Sequence, residues 1–155
     1  MEDNYLLNRE PMRGMFIFET NQLIERLEEI VLDSEKNGAV TDESVSEIFR
    51  IMHTIKGSSA MMLYDGISST AHALEDLFFH IRENKPQHID YSAVFDLTLA
   101  ALDHIREGVG LIKKGGIPDP DVHVLVGDIK ALLSGMGGAD AEKGRQKGEG
   151  TGSAG

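Results

Sequence analysis

Apolar residues recur at intervals of three and four along most of the chain, and this spacing predicts amphipathic helices. The first predicted helix runs from Met12 to about Lys36, and Asn37-Gly38 predicts its end. Its apolar face consists of Met15, Phe16, Leu23, Leu27, Ile30 and Val31. The polar segment Tyr5–Arg13 is interrupted by Pro11, so we interpret it as a short lead-in or a separate turn.

The second and third predicted helices form a hairpin. Thr41-Asp42 is a typical helix start, and the second helix should reach about Tyr64. Its apolar stripe consists of Val45, Ile48, Met52, Ile55, Ser59 and Met62. Asp65-Gly66 then closes a turn, and the third helix should end at Asn84-Lys85-Pro86. The stripe of this third helix consists of Ile67, Ala71, Leu74, Phe78 and Ile81.

Two more helices follow, from Ile89-Asp90 to Lys114 and from Val122 to Leu133. No segment shows sustained strand alternation, and the connections are short. We therefore predict an all-α fold, an antiparallel up-and-down four-helix bundle with a fifth C-terminal helix. One domain should cover residues 1–134, and the glycine-rich residues 135–155 should form a flexible linker or tail.

The composition narrows the classes of partner. The formal net charge of −11 argues against nucleic acid and anionic membranes, since both require a basic face. The chain has no cysteine, which excludes disulfides and thiolate chemistry. It shows neither a transmembrane run nor a signal peptide, so we expect a cytoplasmic protein. We also expect the isolated domain to be a monomer.

His53 is the first candidate for chemistry, because it lies about 100° off the apolar stripe and so at the edge of the core. It lies about eleven residues before the centre of the turn near Tyr64, and Glu75 lies about ten after it. In an antiparallel hairpin the two residues are therefore level. Bundle handedness decides whether they meet. If they meet, Glu75 accepts the Nδ1 proton of His53 and leaves Nε2 as an outward nucleophile for a phosphoryl group.

Three neighbours extend this hypothesis, and each has an ordinary alternative. Lys56 and His72 could neutralise phosphoryl oxygens, but a surface lysine near a histidine is common, and His72 and Glu75 could be a simple helix pair. Gly57 could give a partner protein access to His53, or it could let a neighbouring helix pack closely.

The other sequence patterns give weaker evidence for a functional site. Phe49 and Phe79 are level with each other, and they could form an apolar docking patch or a plain interhelical contact. The remaining histidines lack a ligand spacing repeated on another helix, so we expect no metal site. No glycine-rich phosphate loop is present, so the chain should not bind ATP itself.

The run from His53 to Ala60, His-Thr-Ile-Lys-Gly-Ser-Ser-Ala, followed by His72-Ala-Leu-Glu-Asp-Leu, resembles the histidine-containing phosphotransfer (HPt) domain. It is most similar to the N-terminal phosphotransfer domain of chemotaxis histidine kinases. The resemblance implies that His53 is phosphorylated and that Glu75 is its hydrogen-bond partner. It also implies that Lys56 and His72 belong to the surrounding polar network and that Gly57 is the small residue beside the phosphoacceptor.

The resemblance further implies a carrier rather than a catalyst. A separate kinase catalytic domain would hold ATP and Mg²⁺ and phosphorylate His53. The acceptors would be Mg²⁺-binding receiver domains of response regulators, CheY-like or CheB-like. Two alternatives stay open: a free-standing phosphorelay protein, and a helical adaptor with no chemistry.

Overall fold

The computed structural model of the chain describes residues 2–137, with side chains from Glu10 onward, and has five α-helices in this range. They are α1 (Glu2–Asn37), α2 (Asp42–Met61), α3 (Asp65–Asn84), α4 (Tyr91–Lys113) and α5 (His123–Gly135). Residues 2–137 contain no strand, so the all-α prediction is confirmed. None of these helices combines the length and the apolarity needed to cross a bilayer. Most of the predicted tail, residues 138–155, lies outside the described residues.

The helices begin and end where side-chain chemistry favours it. The Thr41 hydroxyl accepts a hydrogen bond from the Ser44 amide at 3.1 Å and caps α2. Asp90 caps α4 in the same way by accepting from the Ala93 amide at 3.1 Å. Gly38, just after α1, has φ +75°, a conformation that favours glycine. These three boundaries agree with the prediction.

The first four helices form a closed bundle, in which α1 packs on α2 and α4, and α3 packs on α2 and α4. The fifth helix packs against α3 and α4. The most extensive contact joins α2 to α3, and every member of their two predicted stripes is buried. The predicted bundle with an added fifth helix is therefore confirmed.

The prediction for α1 needs two corrections. The helix continues through Pro11, so the segment before Met12 is not a separate turn. A proline removes only one N–H donor from a helix, and Pro11 lies on an exposed side of α1. Met15 is 62% exposed rather than buried, because the next residue, Phe16, takes the core position against Tyr64 with ring centroids 5.1 Å apart.

The second helix ends at Met61, a few residues before the predicted boundary. Leu63 adopts a left-handed conformation with φ +65°, which stops the helix and turns the chain toward α3. The Tyr64 amide closes this turn by donating to the Ser59 carbonyl at 2.8 Å. A non-glycine residue gives no sequence signal for such a turn.

Gly66, in the first turn of α3, allows the α4–α5 connection to approach closely. A Cβ at this position would lie 2.5 Å from the Asp119 carbonyl oxygen and 3.1 Å from the Pro120 Cα.

We predict that Gly66→Ala lowers the free energy of unfolding by about 1–3 kcal/mol, because the backbone of the connection must move, and that the melting temperature falls. The matched control is Gly110→Ala in α4, where a Cβ meets nothing within 4 Å and helix propensity should rise by up to ~1 kcal/mol. Equal melting temperatures for the two variants would contradict this account.

Candidate functional site

His53 projects from α2 at the edge of the buried face. Its side chain is 65% exposed, whereas the preceding residue, Met52, is completely buried. The step of about 100° between neighbouring residues thus separates a core side chain from a solvent-facing one. This is the position that the sequence pattern predicts.

Glu75 on α3 contacts His53 directly. Its Oε2 lies 2.8 Å from Nδ1 of His53, and the Glu75 side chain is only 11% exposed. The count along the hairpin predicts two level residues but leaves open whether they meet. In the structure they meet across the α2–α3 contact.

Lys56 completes a three-residue network. One turn after His53, it donates from Nζ to Oε1 of Glu75 at 2.7 Å. Both carboxylate oxygens of Glu75 therefore accept hydrogen bonds from α2. The lysine is 27% exposed, so its ammonium group joins the carboxylate while remaining near the surface.

These contacts determine the ionisation of Glu75. Burial raises the pKa of the carboxyl group, but the hydrogen bond and positive charge of Lys56, together with the hydrogen bond from His53, outweigh burial and leave the pKa below its usual value. Glu75 is therefore a carboxylate at neutral pH and can only accept hydrogen bonds. Nδ1 of His53 must donate the proton, and in the neutral imidazole the exposed Nε2 then carries the lone pair.

His72 lies beside this network on α3. It is exposed, and its Nε2 is 3.6 Å from Oδ2 of Asp76, so it pairs with the residue one turn later. Ligand-type atoms of His72, Glu75 and Asp76 lie within 4.8 Å of one another. Both oxygens of Glu75, however, already accept hydrogen bonds from Lys56 and His53, which commits that carboxylate to the network.

Gly57 follows Lys56 on the exposed side of α2. A Cβ at this position would meet nothing within 4 Å. No helix among the described residues packs on this glycine closely enough to require it. The surface beside the site is therefore open here.

An aromatic group extends the site by one turn. Phe49 and Phe79 make the interhelical contact considered above, with centroids 6.0 Å apart, and the Phe49 ring also stacks on the His53 ring at 6.2 Å. The guanidinium of Arg82 lies 4.3 Å from the Phe49 ring centroid. Sequence reasoning missed Arg82, although it lies seven residues, or two turns, after Glu75 and so on the same side of α3.

Comparison with known proteins adds independent evidence. The profile of the Hpt domain family matches residues 11–108. The chain is 35% identical over 127 residues to the chemotaxis protein CheA of Borreliella burgdorferi, covering 82% of this chain and 14% of that protein. It is 35% identical over 137 residues to CheA of Treponema pallidum, covering 88% and 16%, and 33% identical over 129 residues to CheA of Bacillus subtilis, covering 83% and 18%. The chain thus spans less than a fifth of the length of these relatives.

The lowered pKa of Glu75 predicts how stability depends on pH. A carboxyl group whose pKa is lower in the folded than in the unfolded protein stabilises the fold at pH values above its unfolded pKa, near 4.5. This stabilisation is lost as the pH falls through the lower pKa of the folded state. We expect Glu75→Gln to unfold more easily than the wild type by about 1–3 kcal/mol at pH 7, because Lys56 loses its charged partner. The difference should shrink below pH 4.5 in urea denaturation. The exposed Glu25→Gln serves as control, and a constant difference at all pH values would refute the prediction.

Proposed function

The chain belongs to the Hpt domain family, and on that basis we propose that it is the phosphotransfer domain of a two-component chemotaxis kinase, with His53 as phosphoacceptor. The observation that carries the proposal is the 2.8 Å contact between Nδ1 of His53 and the buried carboxylate of Glu75. This contact fixes the tautomer and leaves an exposed Nε2 free to attack. The partner of the exposed His123, Asp121, is by contrast itself an exposed carboxylate.

Phosphorylation is a displacement at phosphorus. The Nε2 lone pair of His53 attacks the γ-phosphorus of ATP held by a separate kinase domain, and an N–P bond forms. The bond between the γ-phosphorus and the bridging oxygen breaks, and its electrons leave with ADP. The ring gains positive charge as the N–P bond forms, and the Glu75 carboxylate at Nδ1 stabilises that charge.

The second transfer reverses the role of the ring. A carboxylate oxygen of a receiver aspartate attacks the phosphorus, the N–P bond breaks, and the electron pair returns to Nε2. The kinase and receiver partners supply the Mg²⁺, and this chain supplies position and charge. Candidate acceptors are receivers of the CheY-like and CheB-like kinds.

We assign supporting roles to the neighbours of His53. Lys56, one turn away and tied to Glu75, offers positive charge to phosphoryl oxygens, and His72 adds to the polar surroundings. Gly57 keeps the approach to Nε2 open, consistent with the empty space around it. By this proposal the isolated domain is a substrate and carrier, not a catalyst, and it works as a cytoplasmic monomer.

The phosphoacceptor assignment is tested by His53→Gln. We expect the wild type to gain acid-labile, base-stable phosphate when it is incubated with ATP and the kinase domain of the Borreliella burgdorferi relative, and the variant to gain none. The fold should persist, because a side chain that is 65% exposed contributes little burial. The matched control is His123→Gln, another exposed histidine paired with a carboxylate, Asp121, and it should label normally. Labelling of His53→Gln would mean that another residue accepts the phosphoryl group, and an unlabelled wild type would favour the adaptor alternative.

Gly57→Gln tests access to the phosphoacceptor. A side chain here clashes with nothing within 4 Å of its Cβ, so the melting temperature should hold or rise slightly with helix propensity. Phosphorylation of His53 and transfer to a receiver should both slow, because the larger side chain stands in the path of the partners. Melting and transfer are measured on the same variant. A marked fall in melting temperature, or unchanged transfer rates, would remove Gly57 from the functional surface.

A further inference from the structure

One hydrogen bond does not orient a ring. The His53 imidazole is 65% exposed, and its bond to Glu75 fixes only the Nδ1 corner. The ring turns about the Cα–Cβ and Cβ–Cγ bonds, the second of which has a broad energy minimum, and a hydrogen bond at one ring atom still allows a range of these torsions. Changes in them alter the direction of the Nε2 lone pair. In-line attack on phosphorus depends on that direction, so a second contact matters.

Phe49 provides this second contact. It lies one turn before His53 on α2, and the two rings are 6.2 Å apart between centroids with only 19° between their planes. A nearly parallel aromatic face beside the imidazole restricts rotation out of that plane. The contact and the Glu75 hydrogen bond act on different parts of the same ring.

Phe49 is itself held by α3. The Phe79 ring lies 6.0 Å away at 41°, and the Arg82 guanidinium lies 4.3 Å from the Phe49 centroid and 5.7 Å from that of Phe79. The Phe49 residue is partly buried, so its ring lies between the helices rather than in bulk water. The guanidinium over the ring adds a cation–π attraction that favours this placement.

We propose that Phe49 is a positioning residue that sets the plane of the His53 ring, and that Arg82 holds Phe49 in place. The proposal rests on the function proposed for His53 and adds how its nucleophilic nitrogen is aimed. Helix α3 then positions the His53 ring in two ways. Glu75 holds Nδ1 directly, and Arg82 and Phe79 hold Phe49.

The test compares Phe49→Leu, which keeps apolar volume but removes the flat face, with Phe18→Leu on α1. Phe18 is 64% exposed, and the same substitution there controls for loss of a phenylalanine. With ATP and the kinase domain of the Borreliella burgdorferi relative, Phe49→Leu should lower kcat about tenfold to a hundredfold, with KM for the domain unchanged. Phe18→Leu should leave both constants unchanged.

A spectroscopic measurement separates positioning from structure. In ¹⁵N NMR, His53 of Phe49→Leu should keep its proton on Nδ1, because Glu75 is intact, but that proton should exchange with water faster than in the wild type. An unchanged exchange rate would overturn the proposal. So would a raised KM with unchanged kcat, which would make Phe49 a docking residue.

Substitution of Arg82 is a second test, which leaves the contacts among Phe49, Phe79 and His53 intact. Arg82→Gln should reduce kcat less than Phe49→Leu does, and Arg82→Lys should restore part of the loss because it keeps the cation. Equal rates for the two Arg82 variants would exclude the cation–π role. If the wild type takes no phosphate, the proposed function fails, whereas the proton-exchange measurement still decides whether Phe49 orients the ring.

Discussion

A carboxylate withdrawn from water needs hydrogen-bond donors, and the α2–α3 pair is built around that requirement. Glu75 is nearly buried, and its two oxygens receive the Nδ1 proton of His53 and the ammonium of Lys56. The two donors are one turn apart on α2, so each can reach a different oxygen of the same carboxylate. A slip of the hairpin by one turn would leave a buried charge with too few partners. The register of the hairpin and the tautomer of His53 thus depend on the same interaction.

Periodicity made much of this arrangement predictable. The stripes of α2 and α3 follow from their repeat, and counting from the turn places His53 level with Glu75. Handedness does not follow from such counting, so direct contact required the structure. The sequence pattern also did not predict the partner of Lys56. A long flexible side chain pairs with whichever opposite charge the fold places within reach, and here that charge is Glu75.

The errors arose where tertiary packing overrides local rules. A proline usually marks a helix boundary, yet α1 passes through Pro11, an exposed residue whose missing N–H removes only one hydrogen bond. Leu63 turns the chain with a left-handed backbone conformation, and the sequence has no glycine at this position to indicate the turn. Arg82 lay outside the expected site because its role depends on two aromatic rings from different helices, and sequence spacing does not measure that convergence.

The end of α5 is joined to α3 by side-chain hydrogen bonds. Nε2 of His80 donates to the Met136 carbonyl at 3.0 Å, and Asn84 donates to Nδ1 of the same ring. Both side chains lie toward the C-terminal end of α3, far from the turn that joins α2 to α3. Met136, just after α5, is therefore fixed to the C-terminal half of α3. A force applied at the end of α5 would therefore reach α3, the helix that carries Glu75, through these two side chains.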